Sequence, residues 1–162
     1  MALRAFTRSD YERLINWIDS DELNYQWGGP TFDFPLNAHQ ISQHCAQPDV
    51  WPFMFSVSGE SAGYAELVKT SEGHFRICRV FIAKPFRGQG IANQMLYQLI
   101  QLAKSEYRAD ALSLAVFEHN TAAKRCYESL GFVVTSRESG MRSFRGESWV
   151  LLRMEKSLFS SD

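Results

Sequence analysis

The segment Arg79 to Lys104, RVFIAKPFRGQGIANQMLYQLIQLAK, constrains this chain more than any other stretch. Val80, Phe81 and Ile82 favour a strand, and Lys84-Pro85 breaks it. Arg87-Gly88-Gln89-Gly90 follows. Beyond it Ile91, Met95, Leu99 and Leu102 recur at spacings of 4, 4 and 3, which is one face of a helix. A strand, a glycine turn and a helix in that order form a physical device. Glycine lets backbone approach a ligand, and the first N–H groups of a helix have no partners inside it. The helix dipole adds positive potential at the same point, so a phosphate is the natural guest. Arg87 would supply a full charge and a forked donor set.

Around this device the chain reads as a single domain over residues 1–162. At 162 residues and 45% hydrophobic, it is long enough for a full core. A net charge of −1, with no Lys/Arg run, gives no reason to expect nucleic acid as a partner. No apolar segment suits a signal peptide or a membrane span. Cys45, Cys78 and Cys126 are widely spaced, with no CxxC pair, so free thiols in a reducing cytoplasm are expected and no metal is expected.

Leu3 to Phe6 reads as a first strand. Ser9 and Glu12 form a capping-box pattern ahead of a helix carrying Leu14, Ile15, Trp17 and Ile18. A short helix is expected over Asp19–Tyr25, stopped by Trp27-Gly28-Gly29-Pro30, and another from the cap Asn37 to about Ala46. From Phe53 the period becomes two: FMFSVS, a turn at residues 58–61, AGYAELV, a turn at residues 70–73, then His74–Ala83. Ala111–Phe117 suits a central strand, parallel to the one before the glycine turn. Asn120 caps a further helix that ends at Gly131. Phe132–Thr135 and Trp149–Met154 read as a last hairpin about a polar loop. The expected fold class is α/β, a mixed sheet of about seven strands flanked by helices.

Arg87, Gly90 and Ala92 give Arg-x-x-Gly-x-Ala, which is neither the dinucleotide GxGxxG nor a nucleotide P-loop. It resembles the pyrophosphate motif of the GNAT superfamily of acetyl-coenzyme A-dependent N-acetyltransferases. Residues 120–132, NTAAKRCYESLGF, resemble that superfamily's N-x-x-A-x-x-x-Y-x-x-x-G-F segment at Asn120, Ala123, Tyr127, Gly131 and Phe132. Either motif alone also describes an ordinary turn or a capped helix; the two in order make coincidence improbable.

The resemblance implies an enzyme that moves the acetyl group of acetyl-coenzyme A to a primary amine, of a small molecule or a protein N-terminus, by direct attack. Val80, Phe81 and Ile82 would pair with the pantetheine arm. Arg87, Gly88, Gln89, Gly90, Ile91, Ala92 and Asn93 would wrap the pyrophosphate, and Asn120 would bond the pantetheine. Tyr127 would face the sulfur and protonate the departing thiolate. The positions where relatives carry a basic glutamate are Ala115 and Arg76 here, which leaves Glu66 as the preferred base candidate, with Glu118 and His119 behind it. Asp19, Asp21, Glu22 and Asp33 surround Trp27, Phe32 and Phe34 in sequence, and an acidic, aromatic rim would suit a cationic acceptor. Trp27, Phe32 and Asp33 are the candidate acceptor residues. Homodimers are common in the superfamily. The rival reading is a non-catalytic module that binds acyl-coenzyme A as a sensor.

Overall fold

Two-residue alternation through residues 53–82 produces an antiparallel meander. The structure is a computed structural model and describes residues 1–159. In it β1 (Ala2–Ala5), β2 (Val50–Val57), β3 (Glu60–Ser71) and β4 (His74–Ile82) lie side by side. The chain then crosses through α4 (Ile91–Ser105) to β5 (Ala111–Phe117), which pairs with β4 in parallel. β9 (Leu151–Ser157) lies between β5 and β6 (Val133–Glu138), so the seven-stranded order is β1-β2-β3-β4-β5-β9-β6. This is the mixed α/β sheet the sequence implied.

Side chains of β2 show how the layers form. Phe53 and Phe55 face the core under α4, where Met95, Leu96 and Leu99 are almost wholly buried. Each such side chain contributes about 1.5–3 kcal/mol. The intervening Met54 faces the opposite layer, with Tyr64 and Phe81 from the neighbouring strands. That second layer is roofed by α1 (Tyr11–Trp17), α2 (Asp21–Gly28) and α3 (Ala38–Cys45). α5 (Thr121–Ser129) packs Tyr127 into the same core as α4.

Local differences from the sequence reading have local causes. Thr7 and Asp10 cap the first helical turn, rather than Ser9 and Glu12. Asp10 accepts the Thr7 N–H at 2.8 Å and both arms of the Arg4 guanidinium at 2.7 and 2.8 Å. α2 starts at Asp21, where Ser20 accepts from the Leu23 N–H, and runs on through Trp27 to Gly28, with Gly29 at φ of 56° as its C-cap. The polar loop before β9 contains a two-stranded ribbon, β7 (Ser143–Phe144) and β8 (Glu147–Ser148), turned by Arg145-Gly146. Two-residue strands carry too little alternation to be read from sequence.

One irregularity opens the sheet. Tyr64 pairs with Phe81 and Glu66 with Cys78, so Arg79 and Val80 both stand opposite Ala65. Arg79 takes φ of 51°, the left-handed region unusual for a side chain of its size. This β-bulge bends the end of β4, and the β4–β5 ladder stops at Arg76 opposite Ser113. Beyond that point the two parallel strands part.

Candidate active site

A groove of about 680 Å³ follows the end of β4 on the side of α4 and α5. Val80, Phe81 and Ile82 form one wall, and Arg87, Gly88, Gly90 and the first turn of α4 form the floor. Gly88 and Gly90 have φ of 74° and 73°, and a Cβ added at either would meet no protein atom within 4 Å. These glycines therefore provide left-handed backbone and open space, not relief from crowding. The first N–H groups of the fifteen-residue α4 point into that space unpaired. The Arg87 Nε donates to the Ile82 carbonyl at 2.8 Å, and the guanidinium lies over the Phe81 ring at 5.2 Å. That contact aims the terminal nitrogens, which have no partner among the described residues. Gln89 is different: its amide donates back to the Pro85 carbonyl at 2.8 Å, and its side chain does not line the groove. Of the turn residues expected to wrap a pyrophosphate, Gln89 is the one that does not line the groove.

A second cavity, about 270 Å³, lies on the other side of the splayed strands. Its walls come from the end of α2, the bulged part of β4, and β5 at Ala115 to Phe117. β9 at Leu151 and Arg153 and the loop residue Arg142 complete them. Gln26, Trp27, Val80, Asn120 and Tyr127 line both spaces. Asn120 Oδ1 caps α5 by accepting the Ala123 N–H at 3.4 Å, which leaves its amide N–H groups facing the spaces.

Tyr127 is 7% exposed, and no protein group among the described residues bonds its hydroxyl. Burial pushes the phenol well above its ordinary value, and the neighbouring thiols of Cys126 and Cys78 push it further. The group is a protonated donor throughout the neutral range. Cys78, on the wall of the smaller cavity, is pushed up to about 11, first by burial. A thiol so protonated is a poor nucleophile.

Glu66 is not at the wall of either space. It is fully buried, and three groups hold its carboxylate: His44 Nε2 at 2.9 Å, the Tyr64 hydroxyl at 2.5 Å and Arg79 Nε at 2.7 Å. Burial would raise its pKa, but the bond from His44 and the charge of Arg79 outweigh that and hold it below its ordinary value. A carboxylate so enclosed cannot reach an amine. Its place is behind the bulge, where it fixes Arg79, and the sequence reading of Glu66 as a base is corrected on that ground. Glu118 is tied to Arg137 at 2.7 Å, and His119 stacks on Phe117 and meets Trp149 edge-on, with its Nε2 near Gln26. Neither lines the smaller cavity.

The acidic rim also comes apart. Asp33 is exposed, its backbone bonded to the Gln40 side chain, and it lines neither space. Asp21 pairs with Arg145 at 2.8 Å and pins the β7–β8 ribbon to α2. Phe32 is buried, stacked on Trp27 and edge-on to His44. Only Trp27 of the three reaches the cavity, and its indole N–H donates to the Arg79 carbonyl at 2.8 Å, closing the bulge. Sequence reasoning missed Arg125, Arg142 and Arg153. Arg125 was recoverable, since it lies three residues after Ala122 on the α5 face that meets the groove. The other two needed the sheet order.

Two parallel strands parting in a seven-stranded sheet, with one neutral tyrosine lining the spaces on both sides, give room for two substrates. A family model described as Acetyltransferase (GNAT) family matches residues 11–132, and the chain belongs to that family of enzymes. Among curated proteins it is similar to an aminoglycoside N(6')-acetyltransferase type 1 of Klebsiella pneumoniae. They are 24% identical over 148 residues, covering 82% of this chain and 73% of the relative. Its fold matches a spermidine N-acetyltransferase from Vibrio cholerae in complex with CoA and spermine, with a TM-score of 0.83 at 19% identity over 96% and 94% of the two chains. A ribosomal-protein-alanine N-acetyltransferase from Brucella melitensis matches with a TM-score of 0.78 at 22% identity over 98% and 100%. No helix among the described residues is long and apolar enough to cross a membrane.

Proposed function

We propose that this protein transfers the acetyl group of acetyl-coenzyme A to a primary amine by direct attack, with Tyr127 as the acid. The observation that carries this is the position of Tyr127, a protonated and unpartnered hydroxyl lining both the larger groove and the smaller cavity. The groove suits the coenzyme: an unpaired strand edge for an amide-bearing arm, then left-handed glycines, a helix N-terminus and Arg87 for phosphates. The smaller cavity is left for the acceptor.

In the transfer, the amine lone pair forms the C–N bond to the thioester carbonyl. The C–S bond breaks with its electrons on sulfur. Tyr127 gives its proton to that sulfur and regains one from the nitrogen, so the products are an amide and a free thiol. Acid assistance of this kind is worth about 10²–10⁴-fold. Protonated Cys78 gives no ready route through an acyl-cysteine, which favours direct attack.

Thiol release from acetyl-coenzyme A, followed with a panel of amines and with the acetylated product identified by mass spectrometry, tests the proposal. Release that depends on the amine, with intersecting initial-rate patterns, is expected. Parallel patterns would sink direct attack, and release indifferent to amines would sink the transfer itself.

A further inference from the structure

The smaller cavity collects charge of one sign. Arg76 and Arg79 reach it from β4, Arg153 from β9 and Arg142 from the loop before the ribbon. Among the described residues no carboxylate and no imidazole lines it. Two of the four guanidiniums are matched, Arg79 by Glu66 at 2.7 Å and Arg153 by Glu138 at 2.6 Å. Arg76 and Arg142 are half-buried, and among the described residues neither has a carboxylate partner. Holding two partly desolvated cations beside two more costs free energy unless an anion enters. The sheet places them together: Arg153 stands directly across the β5–β9 ladder from Ala115, whose small side chain is exposed to the cavity. At the position where the sequence resemblance looks for a carboxylate there is a methyl group, and opposite it a guanidinium.

We propose that the acceptor is a small amine carrying its own oxyanion, a carboxylate or phosphoryl group, which Arg76, Arg142 and Arg153 hold while the amino group faces Tyr127. This rests on the acetyl-transfer reading above. Arginine suits the task because its planar fork meets two oxygens of one carboxylate or phosphate. The same positive field disfavours a bound ammonium, since a like charge lowers an amine's pKa. The cavity therefore does part of the work of a general base, by keeping the amine neutral before Tyr127 exchanges protons with it. It also rejects polyamines, whose several cations would meet four guanidiniums.

The test has a binding arm and a turnover arm, both on the full chain. Calorimetry on protein saturated with coenzyme A measures the twenty N-acetyl amino acids, their carboxamides, N-acetyl aminomethylphosphonate and spermine. At least one oxyanion-bearing compound should bind ten-fold or more tightly than its uncharged counterpart, and Arg142→Gln or Arg76→Gln should remove that preference. Carboxylate and phosphonate arms distinguish the two oxyanions. Equal affinities, tighter spermine, a preference unchanged in both variants, or no binding at all would overturn the proposal. Turnover uses the corresponding free amines, with Arg142→Glu expected to shift kcat/KM at least ten-fold from amino acids towards their amides. Anion binding that persists where no amine releases thiol would leave the cavity assignment standing and remove acetyl transfer instead.

Discussion

The two halves of the site are made of different materials. The phosphate end of the proposed coenzyme groove is largely backbone: a strand edge, two left-handed glycines and a helix start within residues 80–93, with side chains of α2 and α5 closing the rest. The smaller cavity, proposed above for the acceptor, is built from side chains on β4, β5, β9, α2 and a loop, residues up to 127 positions apart. A groove of backbone groups tolerates changes of side chain. A cavity of guanidiniums depends on which side chains arrive and on what holds them.

The largest expected effect is on the support of the acceptor half. Glu66→Gln should destabilise the fold by about 3–5 kcal/mol, the usual result of leaving a buried charge, here Arg79, without its partner. Urea denaturation measures it, and a loss under 1 kcal/mol with collapsed kcat would return Glu66 to the role of base. Its pH dependence follows from its sign. A carboxyl lowered on folding stabilises above its unfolded value, about 4.3, and that stability is lost as pH falls through the lower folded value. The wild type should lose this contribution only in acid, below about pH 4, and the variant should show no such step.

Next comes the group shared by both halves. Tyr127→Phe keeps the ring in its packing but should lower kcat roughly 10- to 1000-fold, with coenzyme A affinity changed far less. The deficit should shrink above about pH 8.5, where a thiolate leaves unaided. Wild-type kcat from pH 6 to 9 in a folded variant would assign the proton to water.

In the groove, Gly90→Val should weaken coenzyme A binding at least ten-fold, because a branched side chain occupies the open space and resists φ of 73°. Unchanged affinity in calorimetry would mean the phosphates lie elsewhere. The smallest effect is the sharpest contrast: Gln89→Ala, one residue away, should change that affinity less than about two-fold, because its side chain is turned to Pro85. A ten-fold loss there would show that the groove reads side chains after all.

The same division explains what the sequence disclosed. The strand, turn and helix of residues 79–104 and the Asn120–Phe132 segment are local patterns, so the groove, Tyr127 and the seven-stranded sheet were legible. Glu66 was misread because its fate depends on His44, Tyr64 and Arg79, two of which are more than ten residues away in sequence. Asp33 and Asp21 were grouped with Trp27 by proximity along the chain, yet Asp21 lies at the start of α2 and Asp33 in the loop before α3, and they meet different neighbours. Arg153 could be placed beside Ala115 only once β9 was known to lie between β5 and β6.

That interior position of a late strand bears on how the molecule is made. β6 emerges during synthesis before the strand that is its only sheet neighbour among the described residues, so residues 133–138 wait as an unpaired edge until residues 151–157 slide in beside them. The acceptor cavity cannot exist on the ribosome before that insertion, whereas every residue of the coenzyme groove has by then been made. A nascent chain stalled with Trp149 as the last residue clear of the tunnel should thus expose β6 to protease, while one carrying Ser157 clear of the tunnel should protect it.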